Sequence, residues 1–140
     1  MRSEAGEEIV LEKNIFVERI LFNDSEKGLS DEAKKEYIRP FKNAGEDRRP
    51  TLTWPRQIPI DGSPKEVIDE VEKNGVFHKQ SDIPKLFINA DPGTILIGRQ
   101  REFVRSWNNL KETTVKGNHF IQEDSSKEIG EAIKDFLDSL

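Results

Sequence analysis

Hydrophobic and polar positions divide this chain into two stretches of different character. Along residues 1 to about 62 the pattern is irregular. In "EEIVLEKNIFVERILF" the apolar residues Ile9, Val10, Ile15, Phe16, Ile20 and Leu21 recur at mixed spacing. That predicts two short helices broken near Asn14, a residue suited to a helix cap. "LSDEAKKEYIRPF" predicts a helix capped by Ser30 and ended before Pro40, because the residue ahead of a proline is pushed away from helical angles. "GEDRRPTLTWPRQIPIDG" holds Pro50, Pro55 and Pro59 and is expected to be extended or looped.

From Ser63 onward the pattern is regular. "SPKE" reads as a capping box with proline at the first helical position, opening a helix through Val67, Ile68 and Val71. "PKLFINA" is a short apolar run followed by "DPG", as a buried strand would be. "GRQREFVRSW" is helical, and "ETTVKG" is β-branched and strand-like. "SSKE" reads as a second capping box, starting a terminal helix with Ile129, Ile133, Phe136, Leu137 and Leu140 on one stripe. Helix-strand-helix-strand-helix is the signature of a parallel α/β sheet. Such sheets are usually covered on both faces and hold about four to six strands. Only two are visible here, so the expectation is a portion of a larger sheet whose open edges invite pairing. Strands concealed in the first stretch are the alternative.

Composition narrows the picture. Of the 140 residues, 34% are hydrophobic and 35% charged, with a net charge of -5. There is no basic run or basic-aromatic stripe of the kind nucleic-acid binders carry. Cysteine is absent, which excludes disulfides and thiolate metal sites. No apolar run approaches the roughly 20 residues of a membrane span, and "MRSEAGEEIV" carries charge where a signal peptide would be apolar. A cytoplasmic protein that binds neither nucleic acid nor membrane, with no metal and no cofactor, is expected. The leaderless, helix-forming start suggests a chain that begins in the middle of a larger unit.

Two histidines are available for chemistry. His119 follows a strand through Gly117, at the rim where open α/β sheets place their ligands. It is placed to act as a general base, or to be a loop histidine bonded to a backbone group. His78 ends a helix without an acidic neighbour and reads as solvated decoration. Asp91, in "NADPG" past the preceding strand, suits either orienting His119 or capping the next helix. Glu123 and Asp124 precede a helix N-terminus, where negative charge is favourable. Trp54 beside Pro55 either lines a pocket or packs a loop. No G-x-S-x-G elbow, G-x-G-x-x-G or P-loop occurs, so nothing in the chain starts a covalent mechanism alone.

Four segments, "RSEAGEEIVLEKNIFVERIL", "RRPTLTWPRQIPI", "IPKLFINADPG" and "VKGNHFIQEDSSKEIGEAI", run in one register through most of the chain. They resemble the C-terminal half of haloalkane dehalogenases of the α/β-hydrolase fold, in the subgroup that includes the coelenterazine luciferases. The resemblance implies that residues 1–62 are the later part of a helical cap. Residues 63–140 would be the C-terminal part of the main domain, with its last two parallel strands and flanking helices. It places His119 on the family's catalytic base, and Phe16, Trp54, Pro55, Ile58, Thr94 and Ile95 on the wall of an apolar cavity for a small halogenated substrate. In such enzymes an aspartate displaces halide to form an alkyl ester, and the histidine activates the water that hydrolyses it. The nucleophile, the halide-binding residues and the usual glutamate partner of the histidine would lie upstream. A fragment inactive alone is therefore expected. The alternatives are a luciferase-like monooxygenase on the same scaffold and a non-catalytic module that binds through its open strand edge. Two segments depart from the family pattern. "FNDSEKG", residues 22–28, is polar where relatives carry proline and aliphatic residues beside the access tunnel, and "NGVFHKQ" lacks an aromatic-leucine pair. Charges at a tunnel mouth change which substrates enter, and burying them unpaired is costly.

Overall fold

The computed structural model describes all residues from Met1 to Leu140, which divide into two compact units. The first comprises Met1–Asn23 and Gly28–Glu72, and the second Asp24–Lys27 and Lys73–Leu140.

The first unit is helical. Its opening turns, Glu8–Glu12 and Phe16–Leu21, are wider than α-helix. They are separated by Asn14, which adopts a left-handed φ of 51° and is almost wholly buried. Asparagine tolerates that conformation because its short polar side chain bonds locally; here its Nδ2 donates to Glu18 Oε1 at 3.0 Å. The expected break is thus present. Helix α1, Asp31–Ile38, has Ser30 Oγ accepting from the Ala33 amide at 3.1 Å, the expected cap.

The stretch expected to be looped is instead partly helical: α2 spans Arg49–Arg56. Pro50 lies in the first turn, where no intrahelical N–H partner is needed, and Pro55 lies in the last, where little helix remains to break. Burial of Thr51 and Leu52 on one side outweighs the proline signal. Val10, Leu11 and Leu52 form the unit's core, with Met1, Ile9 and Phe16 packed around it. Buried Arg48 donates to the carbonyls of Leu11 at 2.9 Å, Glu12 at 2.7 Å and Phe41 at 2.8 Å. One guanidinium thereby satisfies acceptors left over where the first helical turn ends.

Helix α3, Lys65–Gln80, begins in the first unit and ends in the second. Its expected serine cap does not form: the Ser63 amide donates to Ile60 O in a tight turn, and the hydroxyl caps nothing.

The second unit holds the only sheet. Strands β1, Lys85–Pro92, and β2, Leu110–Gly117, pair in parallel from Lys85 opposite Leu110 to Pro92 opposite Gly117. Helix α4, Gly98–Arg105, forms the crossover. A short α5, Ile121–Asp124, leads into α6, Ser126–Leu137, which packs against both strands. The two expected strands are present, and the first unit conceals none. Ser125, expected as a cap, sends its hydroxyl back to Lys116 O at 2.6 Å and so ties α6 to the end of β2.

His78 is not solvated decoration. Its ring stacks on Trp107 at 4.3 Å, and Phe103 meets Trp107 edge-on at 6.2 Å. Gly75 makes this possible, since a Cβ there would stand 2.7 Å from the Phe103 ring. No helix is long and apolar enough to cross a membrane.

Candidate active site at the rim of the sheet

Both strands end on the same rim, and the loops that leave them are tied together. The Gly93 amide donates to Gly117 O at 3.0 Å, and Arg101 Nη2 holds the end of β1 by donating to Ala90 O at 2.9 Å. Gly117 has φ 146°, outside the reach of most side chains, which lets β2 turn sharply into Asn118 and His119. A cavity of about 210 Å³ opens there, lined by Ile88, Ala90, Gly93, Thr94, Ile95, Leu96, Asn118, His119 and Ile121. Its wall is mostly aliphatic, and His119 is its one titratable side chain. That combination is the usual form of a small-molecule site with a single proton-transfer group.

The His119 imidazole meets Phe120 edge-on at 4.8 Å and makes no hydrogen bond to any group of the chain. Of the two roles open to Asp91, neither is filled. Strand alternation sets it on the face of Phe87 and Asn89, opposite Ile88 and Ala90 in the cavity wall. The position before α4 is Ile97.

Carboxylates whose contacts no local sequence pattern signals hold this rim. Asp124 is buried and does more than favour a helix N-terminus. Its oxygens accept from Ser25 Oγ at 2.7 Å, the Glu26 amide at 3.0 Å and the Lys27 amide at 3.0 Å. The Lys27 ammonium also donates to the Asp124 carbonyl. Burial alone would raise the Asp124 pKa. The amides of Lys27 and Glu26, the Ser25 hydroxyl and the Asn118 amide outweigh it and hold the carboxyl below its ordinary range. Glu26 pairs with Lys116 at 3.0 Å. Asp24 accepts the His119 backbone N–H on Oδ2 at 2.8 Å, and the Thr94 hydroxyl on Oδ1 at a long 3.4 Å. The polar "FNDSEKG" segment is therefore not buried unpaired: each charge from Asp24 to Lys27 has a partner. Nothing in the local sequence signals these contacts, since the partners lie 70 to 99 residues away.

Of the residues named from sequence, Thr94, Ile95 and His119 line one cavity. Phe16, Trp54, Pro55 and Ile58 belong to the first unit. Phe16 packs on that unit's core, Pro55 is half-buried in the last turn of α2, and Trp54 and Ile58 are 80% and 54% exposed.

No family model matches the chain. Among curated proteins it is 55% identical to a haloalkane dehalogenase of Mycolicibacterium smegmatis, over 98% of this chain and 44% of the relative. It is 41% identical to coelenterazine h 2-monooxygenase of Renilla reniformis, over 99% of this chain and 45% of that protein. Among solved structures, haloalkane dehalogenase DbeA of Bradyrhizobium elkani superposes with a TM-score of 0.90 at 31% identity, over 97% of this chain and 47% of that one. The chain spans a little under half the length of the curated relatives it matches. With sequence and fold agreeing over nearly every residue, the chain is a homologue of the haloalkane dehalogenases and corresponds to the C-terminal half of their α/β-hydrolase fold.

Proposed function

We propose that the chain supplies the general base and one cavity wall of a haloalkane dehalogenase-type hydrolase. The observation that carries this reading is His119: a rim histidine in an aliphatic cavity, with an imidazole to which no group of the chain is hydrogen-bonded. In the reaction proposed, a carboxylate attacks the halogen-bearing carbon, the carbon–halogen bond breaks with release of halide, and an alkyl ester forms. His119 then takes a proton from water as the water oxygen attacks the ester carbonyl. Collapse of that adduct frees the alcohol and regenerates the carboxylate. Residues up to about Gly62 are assigned to the helical cap, where Phe16, Trp54, Pro55 and Ile58 would meet substrate. Thr94 and Ile95 would do so from the main domain. Apart from the Thr94 hydroxyl and the Trp54 indole N–H, these side chains offer a solute no hydrogen bond, which favours a small, largely apolar substrate.

The attacking carboxylate is assigned to sequence outside these 140 residues. Asp24 and Asp124, the carboxylates bonded at this rim, are engaged with backbone amides and hydroxyls. The purified 140-residue chain is expected to release no halide from a bromoalkane above the buffer rate. Steady turnover that His119→Ala abolishes would refute that assignment. The Renilla relative favours a second reading, oxidation of a coelenterazine-type compound. Light emission on adding coelenterazine separates the two, because the hydrolase reading predicts a dark reaction.

A further inference from the structure

We propose that Asp24 is a positioning residue for His119, a carboxylate clasp that holds the histidine loop to the loop after β1. The inference rests on the reading of His119 as the base. Residues Asp24–Lys27 belong to the second unit although the residues flanking them belong to the first. This four-residue strap is fixed at one end by the buried Asp124 carboxylate, through Ser25, Glu26 and Lys27, and along its side by the Glu26–Lys116 pair. A strap held at these points presents Asp24 to the rim with little freedom. Its two oxygens then serve two different loops, Oδ2 taking the His119 amide and Oδ1 the Thr94 hydroxyl. Both of those residues line the cavity.

The chemistry suits positioning rather than proton transfer. Asp24 bonds the backbone of His119 and leaves the ring untouched, so it fixes where the imidazole stands. An ionised acceptor makes a stronger bond than a neutral one. A base has to stand within a few tenths of an ångström of its productive place, which is more than an untethered loop can guarantee. An apolar side chain at this position could accept neither bond.

Amide hydrogen exchange followed by NMR on the 140-residue chain tests the clasp. Asp24→Ala is expected to speed exchange of the His119 amide about tenfold, the scale of one charge-assisted bond, while Ala90 and Val115 keep their rates. Asp24→Asn, whose side-chain oxygen still accepts, is expected to restore most of the protection. Thr94→Val removes the weaker arm alone and should give a smaller rise, and it serves where Asp24→Ala fails to fold. An unchanged His119 rate, no rescue by asparagine, or acceleration spread evenly over β1 and β2 would overturn the proposal. The readout needs no halide release. A chain that fails to dehalogenate leaves the clasp result standing, and a failed clasp leaves the dehalogenase reading standing.

Discussion

Steady halide release is expected to fall by about 10²–10⁴-fold on His119→Ala, the range a positioned general base contributes. The setting is a hybrid in which the N-terminal half of the Mycolicibacterium smegmatis relative precedes this chain. The effect should fall on one step only. Displacement of halide by the carboxylate needs no base, so the variant should still release up to one halide per molecule in a first burst. Hydrolysis of the ester needs a water made nucleophilic by proton removal, and this chain offers no second group at the cavity to remove it. Stopped-flow halide detection separates burst from steady rate. Equal loss of both would place His119 in binding or folding rather than in ester hydrolysis.

Asp124→Ala is expected to destabilise the chain by about 3 kcal/mol, because it strands the Glu26 and Lys27 amides and the Ser25 hydroxyl in a buried setting. Urea unfolding measures it. The dependence on pH has a defined sign. Asp124 titrates below its ordinary range in the folded chain, so its contribution is fully present above the unfolded value of about 3.9. It is lost as pH falls through the lower folded value. The stability gap between the parent chain and Asp124→Asn should therefore narrow below about pH 4 and stay constant above it. A gap that persists unchanged to about pH 2 would mean the carboxylate charge contributes nothing. Gly117 stands in the same contact, since a Cβ there would lie 2.9 Å from Asp124 Oδ2.

What the sequence revealed and what it concealed divide along the range of the interactions. The strands "PKLFINA" and "ETTVKG", the helix between them and the Ser30 cap depend on residues a few positions apart, so periodicity and capping chemistry expose them. Helix α2 was concealed because Pro50 and Pro55 read as breakers, and their harmless places in the first and last turns depend on where burial of Leu52 sets the helix ends. Ser63 and Ser125 match a cap motif, yet each is engaged elsewhere, by a turn to Ile60 and by the Lys116 carbonyl. The candidate site shows the same division. His119 is marked out by its strand end and by resemblance, Thr94 and Ile95 by resemblance alone, whereas the contacts of Asp24 and Asp124 are not legible at all. Their roles come from contacts that join residues 24–27 to residues 94–124, which no local pattern encodes.

The two-strand sheet gives these contacts their context. Each strand has one edge without a partner among the 140 residues. The rim is nevertheless bonded within the second unit through Gly93, Arg101, Asp124 and Asp24. The loop that carries His119 is thus held by bonds within the second unit, whatever pairs with the open strand edges.

Intact-mass spectrometry of the hybrid carrying His119→Ala, after exposure to a bromoalkane, tests the central claim most directly. The variant is expected to gain the mass of one alkyl group and keep it, with peptide mapping placing the ester on a carboxylate outside the 140 residues. The same hybrid with His119 intact should show no lasting adduct. An ester on Asp24, Asp91, Asp124 or any other side chain of this chain, or no adduct at all, would contradict the account.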